Sequence, residues 1–395
     1  TLPFHGGNRG SNPLGDAIIN KARFCSGLLL SGAGGSGAMA GKHMSRYWSD
    51  VVSTLTPYVP GEQPKAGKLV KLNTNESPYP PSPQVLQAIS AVSADALRLY
   101  PDPESVDLAQ AIALRNGIKA EQVFVGNGSD EVIALVFMAL LKHSQPLYFP
   151  DISYSFYPVW AELFGIDYVR APVAADFTIA ADAYPADNGG IIIPNPNAPT
   201  GILMSLDAIR GLLEKSAGSV VVIDEAYIDF GGESAVSLVD EFDNLLVVQT
   251  LSKSRALAGM RVGFAMGNEA LIEALGRVKN SFNSYPLDIV SQRAALASIQ
   301  DEDYFLENCQ RVINSRQSLC RELVELGFTV LPSGANFVFA THAGHAARDL
   351  FSQLRAKGIV VRYFEKPRID NYLRISIGTE EDNAALLKAL QDILG

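Results

Sequence analysis

The strongest constraint on this chain is a recurring short run of apolar, mostly β-branched residues that ends abruptly at a polar or glycine-rich loop. Val123–Val125, Leu147–Phe149, Gly190–Ile193, Val220–Ile223 and Leu245–Val248 are such runs. A strand with one wet face alternates apolar and polar residues. A solid run needs apolar neighbours on both faces, as in a parallel sheet held between helices. The intervening stretches supply those helices. Ser129 is placed to cap a helix running to about Lys142, and Val132, Ile133, Leu135, Val136, Phe137 and Leu140 make it apolar nearly all round, hence buried. Ser155–Phe164 and Leu206–Lys215 are further helices, and Asp167–Arg170 another strand. The pattern predicts an α/β fold with a mostly parallel sheet covered by helices.

From Asn268 the pattern changes. Leu271–Lys279, Ile289–Ser298, Asp303–Leu326, Ala346–Lys357 and Glu381–Ile393 read as helices. Phe328–Leu331, Phe337–Phe339, Ile359–Arg362 and Leu373–Ile377 read as strands, giving a smaller α+β domain completed by a short strand at Leu69–Leu72. At 395 residues two domains are the natural expectation. We divide the chain into a large domain over 90–285, a small domain over 286–395, and an N-terminal arm over 45–89 that joins the small domain. Residues 1–44, rich in Gly and Ser, read as a leader or vector-derived segment outside the fold.

Composition narrows the function classes. The hydrophobic fraction of 47% supplies ample core, and the net charge of −10, with no dense Lys/Arg run, argues against nucleic-acid or anionic-membrane partners. No apolar run is long enough to span a bilayer. Cys25, Cys309 and Cys320 have no metal-ligand or disulfide spacing, which suits a reducing, cytoplasmic setting. His342 and His345 pair without an evident third ligand, so no metal is expected.

In open α/β sheets ligands bind at the C-terminal ends of the strands, and four loops there carry chemistry. GNGSDE (Gly126–Glu131) opens a helix whose free N–H groups suit an anion. IIIPNPNAPTG (Ile191–Gly201) is a rigid loop able to aim an amide into a cleft. In VVVIDEAYIDF (Val220–Phe230), Asp224 follows four β-branched residues, where a carboxylate is costly without a cationic partner. LLVVQTLSKSRALAGMR (Leu245–Arg261) places Lys253 just past a buried strand. An amine held out of water there is the form that attacks carbonyl carbon, and Ser252 and Arg261 suit a phosphate.

These motifs, with LTPY, LNTNESPYP, RLYPDP and YLRISIG, stand in the order found in the aspartate-aminotransferase superfamily of pyridoxal-5′-phosphate (PLP) enzymes, which the chain resembles over roughly Ser45–Gly395. Within it the motifs are most similar to the histidinol-phosphate aminotransferase family. The resemblance implies the PLP-dependent transferase fold, with Lys253 as the lysine joined to the cofactor. It implies that Asp224 holds the pyridine nitrogen protonated and that Tyr227 bonds the ring hydroxyl. Ser129, Asp130, Ser252 and Arg261 match the phosphate cup, and Tyr154 matches the residue stacked on the ring. Tyr100 matches a tyrosine lent to a neighbouring subunit's cofactor, implying a homodimer with a shared site. Arg374, with Arg362 second, matches the grip on the substrate's anionic end, and Tyr58 and Asn75 match residues near the substrate pocket. Family members carry asparagine just before the proline of PTG; here that position is Ala198, and Asn197 is expected to take over the role.

The implied reaction is ping-pong amino transfer between L-histidinol phosphate and 2-oxoglutarate. An aromatic-amino-acid aminotransferase and a PLP-dependent threonine-phosphate decarboxylase share most of these motifs. A non-catalytic regulator on the same fold would need a DNA-binding segment, and residues 1–43 have neither the helices nor the basic charge.

Overall fold

The computed structural model describes residues 45–58, 61–62 and 69–395. The leader expected over 1–44, with Cys25, lies outside them. Residues 45–54 hold one short helix, Asp50–Thr54, with no buried residue. Leu55–Gly395 forms one compact unit. Its strands begin with β1 (Val70–Lys71), β2 (Val123–Gly126), β3 (Leu147–Pro150), β4 (Tyr168–Ala171), β5 (Ile191–Pro194) and β6 (Val221–Asp224). There follow β7 (Leu245–Thr250), β8 (Gly263–Gly267), β9 (Phe328–Val330) and β10 (Phe337–His342). The last are β11 (Ile359–Val360), β12 (Arg362–Tyr363) and β13 (Leu373–Ser376).

Seven strands form the main sheet in the order β2-β8-β7-β6-β5-β3-β4. β3 through β7 run parallel, and β8 is antiparallel to both its neighbours. The solid apolar runs are explained by which side each residue faces. Ile191, Ile193, Val221, Ile223, Leu245 and Val247 enter one core with the helices Val106–Asn116 and Ile289–Gln300. Ile192, Val222, Leu246 and Val248 enter a second core with the helices Gly128–Leu140 and Tyr157–Phe164. Alternate residues thus feed two cores, and every position must be apolar.

β8 was not anticipated. Glycines at both ends cut GFAMG down to three apolar residues, Phe264, Ala265 and Met266, too short a run to stand out, yet all five positions are buried between β2 and β7.

The C-terminal region builds a four-stranded antiparallel sheet, β12-β13-β10-β9, packed on the helices Glu302–Glu325, Ala347–Ala356 and Glu380–Leu394. The single strand expected over Ile359–Arg362 divides in two. β11 pairs in parallel with β1, while β12 pairs with β13. The N-terminal strand therefore does join the C-terminal region, but through β11 rather than the larger sheet.

Candidate active site

The parallel strands β5, β6 and β7 end at Pro194, Asp224 and Thr250, around a cavity of about 130 Å³. Ser129, Asp130, Tyr154, Asp224, Tyr227, Ser252, Lys253 and Arg261 all line it. Residues scattered over more than a hundred positions thus meet at one sheet edge.

One end of the cavity suits an anion. The helix Gly128–Leu140 begins with no side-chain cap, because Ser129, expected as the cap, lies within its first turn. Its leading amides therefore stay open, at the positive end of the helix dipole. Two glycines make the close packing there possible. A Cβ on Gly128, whose φ is +82°, would stand 2.6 Å from Arg261 Nη2. A Cβ on Gly263 would stand 2.3 Å from the Ser129 nitrogen, so β8 passes directly beneath the helix start. Arg261 pairs with Asp130 at 3.1 Å, and the Ser252 hydroxyl accepts from Thr250 Oγ1 at 2.9 Å.

The other end suits a cation. Asp224 Oδ2 accepts a hydrogen bond from the Tyr157 hydroxyl at 2.8 Å, whereas Oδ1 is buried with no partner. Burial pushes the Asp224 carboxyl up to about 6, against the bonds from Tyr157 and the Ala226 amide. A buried, unpartnered carboxylate oxygen beside a cavity calls for a charged N–H donor. Lys253 Nζ lies between the two ends, donating to the Thr74 carbonyl at 3.1 Å and standing 5.6 Å from the Tyr227 ring centre. The Tyr227 hydroxyl accepts from Asn75 Nδ2 at 3.1 Å. Tyr154 forms one wall, its hydroxyl donating to Asp130 Oδ1 at 3.0 Å. Burial, then the Asp130 charge, holds that phenol far above its ordinary range, so it stays a neutral donor. An open helix N-terminus, an amine and an orphaned carboxylate oxygen fit the phosphate, carbonyl carbon and ring nitrogen of PLP.

A second cavity, about 390 Å³, shares Tyr154 and Ala198 with the first and is walled by Tyr58, Arg362, Phe364 and Arg374. Arg374 lies on β13, between Leu373 and Ile375, which are buried in the small core as strand alternation requires. Its Nη2 donates to the Asn73 carbonyl at 2.8 Å, while its Nε is buried with no partner. Arg362 is its register partner on β12, so both guanidinium groups leave the same face. They flank the Phe364 ring, at 5.4 Å for Arg362 and 5.5 Å for Arg374. Like charges set opposite one another cost stability unless an anion lies between them.

Three expected site residues sit elsewhere. Asn197 does not line the cavity; Ala198 does. The Asn197 amide is turned into the loop, donating to the Ile152 carbonyl and to Thr200 Oγ1, which commits both its protons to holding the turn. In this arrangement neither amide proton of Asn197 is free for the expected ring-hydroxyl bond, and its Oδ1 is buried with no partner among the described residues. Asn75 lines neither cavity but braces Tyr227 from behind, with its own Oδ1 accepting from Ser376. Tyr100 also lines neither; it is 83% exposed and stacks on Tyr285 at 4.7 Å. Sequence reasoning missed Tyr157, the Thr74 carbonyl and Gly263. Only Tyr157 gave any signal, as a second tyrosine three residues past Tyr154.

Comparison with known proteins agrees with this geometry. Residues 67–390 match the family of class I and II aminotransferases. A histidinol-phosphate aminotransferase of Hydrogenovibrio crunogenus is 61% identical over 89% of this chain and 99% of its own length. One from Pseudomonas aeruginosa is 58% identical over 88% of this chain and 99% of its own length. The crystal structure of a histidinol-phosphate aminotransferase from Sinorhizobium meliloti, in complex with pyridoxal-5′-phosphate, shares the fold, with a TM-score of 0.80 at 24% identity. It covers 89% of this chain and 98% of its own. The chain thus belongs to the class I and II aminotransferases, a family of PLP-dependent enzymes, and within it to the histidinol-phosphate aminotransferases.

Proposed function

We propose that this enzyme moves the amino group of L-histidinol phosphate to 2-oxoglutarate, yielding imidazole-acetol phosphate and glutamate, a step of histidine biosynthesis. The observation that carries the reading is Arg374, whose buried Nε has no partner, beside Arg362 in a cavity that shares Tyr154 and Ala198 with the lysine site. A guanidinium fork accepts a phosphate in one half-reaction and a carboxylate in the other.

Bound PLP supplies a carbonyl carbon for the incoming amine and a protonated ring that draws electrons from the substrate's Cα. The chain supplies the rest. The first-turn amides after Asn127, with Ser129, Ser252 and Arg261, would hold the phosphate, and Asp224 would keep the ring nitrogen protonated. Tyr157 fixes the orientation of Asp224 through its hydrogen bond. Tyr227, whose hydroxyl accepts from Asn75, would present its own proton to the ring oxygen. Lys253, whose amine stands in the cavity, would be the group joined to the cofactor and the base that would take the substrate's Cα proton.

A shared-site homodimer is the second part of the proposal. Tyr100 stacks on Tyr285 among exposed Leu97, Leu99 and Phe282, an apolar surface suited to burial against a second copy. The lack, among the described residues, of any helix long and apolar enough to cross a membrane accords with a cytoplasmic enzyme.

Single-turnover kinetics with histidinol phosphate, histidinol and glutamate test the reading. Wild type should strongly prefer the phosphorylated donor. Arg374→Ala should lose about 2–5 kcal/mol of transition-state binding in both half-reactions while keeping its cofactor absorbance. An unchanged preference in a cofactor-loaded variant would remove Arg374 from the substrate site.

A further inference from the structure

The second cavity carries more positive charge than a carboxylate needs. Besides Arg362 and Arg374, it is lined by Arg170 from the edge strand β4, and by Lys366 and Arg368 from the loop after β12. Arg368 is accounted for: it pairs with Asp151 at 3.4 Å and donates to the Val173 and Ala174 carbonyls. The other four cations have no carboxylate within salt-bridge range among the described residues. Lys366 feels the crowding, since loss of surrounding water and then the charges of Arg170 and Arg362 pull its ammonium below the ordinary lysine range. In a protein of net charge −10, four uncompensated cations around one hollow mark a built anion site.

We propose that Lys366 and Arg170 form a second half of the substrate's anion site, reserved for the extra charge of a phosphate monoester, and so set the preference for a phosphorylated donor over a carboxylate. This rests on the aminotransferase reading above and deepens it. A phosphate monoester carries roughly −1.5 to −2 near neutral pH and three acceptor oxygens. Each of glutamate's two carboxylates carries a single charge and two oxygens, and the Arg362–Arg374 pair answers the one beside the reacting carbon. The third oxygen of a phosphate held by that pair needs donors from another wall. Arg170 comes from the main sheet and Lys366 from the small-sheet side, so a phosphate between them also draws the two walls together.

Lys366→Met and Arg170→Met, singly and combined, test the assignment in the holoenzyme, where the cofactor already fills the first anion site. Both side chains are exposed, so the variants should fold and keep their cofactor absorbance. Each single change should raise KM for histidinol phosphate about tenfold, as expected for a lost charge-assisted hydrogen bond, and move KM for glutamate by no more than about threefold. Competitive inhibition by inorganic phosphate should weaken in parallel, and Lys366→Arg should restore most of it. Unchanged donor KM and unchanged phosphate inhibition in the double variant would overturn the proposal. Equal losses with phosphorylated donor and glutamate would also overturn it, by showing one undivided anion site. If wild type shows no preference for the phosphorylated donor, yet inorganic phosphate binding still depends on Lys366 and Arg170, the subsite stands and the donor assignment falls.

Discussion

Asp224 should make the cofactor-free enzyme less stable as pH rises, and Asp224→Asn should abolish that trend. The carboxyl is 6% exposed and its pKa is raised from 3.8 to about 6, chiefly by burial. An acid whose folded pKa lies above its unfolded value binds the proton more tightly when folded. Its stabilising contribution is complete below the unfolded pKa and is lost as pH rises through the folded one. The shift corresponds to about 3 kcal/mol in total, of which about half disappears between about pH 5 and about pH 8. Asparagine keeps the acceptor for the Tyr157 hydroxyl and carries no charge, so it removes this term alone. Urea unfolding of both apoproteins, at equal protomer concentration, should show wild type losing about 1–2 kcal/mol relative to Asp224→Asn over that range. Glu225, raised to about 7 by burial, titrates in both proteins and cancels in the difference. Adding PLP should reverse the order, stabilising wild type by much more than it stabilises Asp224→Asn, because only a carboxylate pairs with a protonated ring nitrogen. A difference between the two proteins that stays flat with pH would refute the claim that Asp224 is held charged at a desolvation cost.

Two further outcomes are expected. Borohydride treatment should fix the cofactor irreversibly to the peptide containing Lys253, and Lys253→Ala should abolish that labelling; labelling that survives would identify another lysine. If Tyr100 serves the neighbouring subunit, Tyr100→Phe and Lys253→Ala should each impair activity, and hybrids formed by subunit exchange should recover one complete site. Demonstrated exchange without recovery would rule out sharing through Tyr100.

What could be read from the sequence follows from how local each signal is. β5, β6 and β7 were legible because burial on both faces leaves an unmixed apolar run, whatever lies around it. Asp224 was legible because a carboxylate at the end of such a run demands an explanation within a few residues. β8 was hidden, since its end glycines, of which Gly263 lets it pass under Ser129, shorten its apolar run to three residues. The Tyr157–Asp224 bond joins positions 67 apart and depends on how a helix packs on a sheet, which no local pattern encodes. The bonds of Asn197 were hidden for a related reason. Its residue type suited the task, but the direction of an amide within NPNAPTG is decided by bonds to Ile152 and Thr200.

The pairing of β1 with β11 has a consequence for the order in which the protein is made. Thr74, whose carbonyl holds the Lys253 amine, lies three residues past the end of β1, and Asn75 is fastened to Ser376, 301 residues later. During synthesis the cup, Asp224 and Lys253 leave the ribosome well before β11 and β13 exist. The strand-end part of the site can therefore form on a nascent chain while the Thr74–Asn75 segment is still without a sheet to join. Pairing so distant in sequence is slow and comes late. A chain stopped short of Ile359 would hold Asp224 and Lys253 but neither Arg362 nor Arg374, and it would lack the strand that β1 joins beside the lysine's tether.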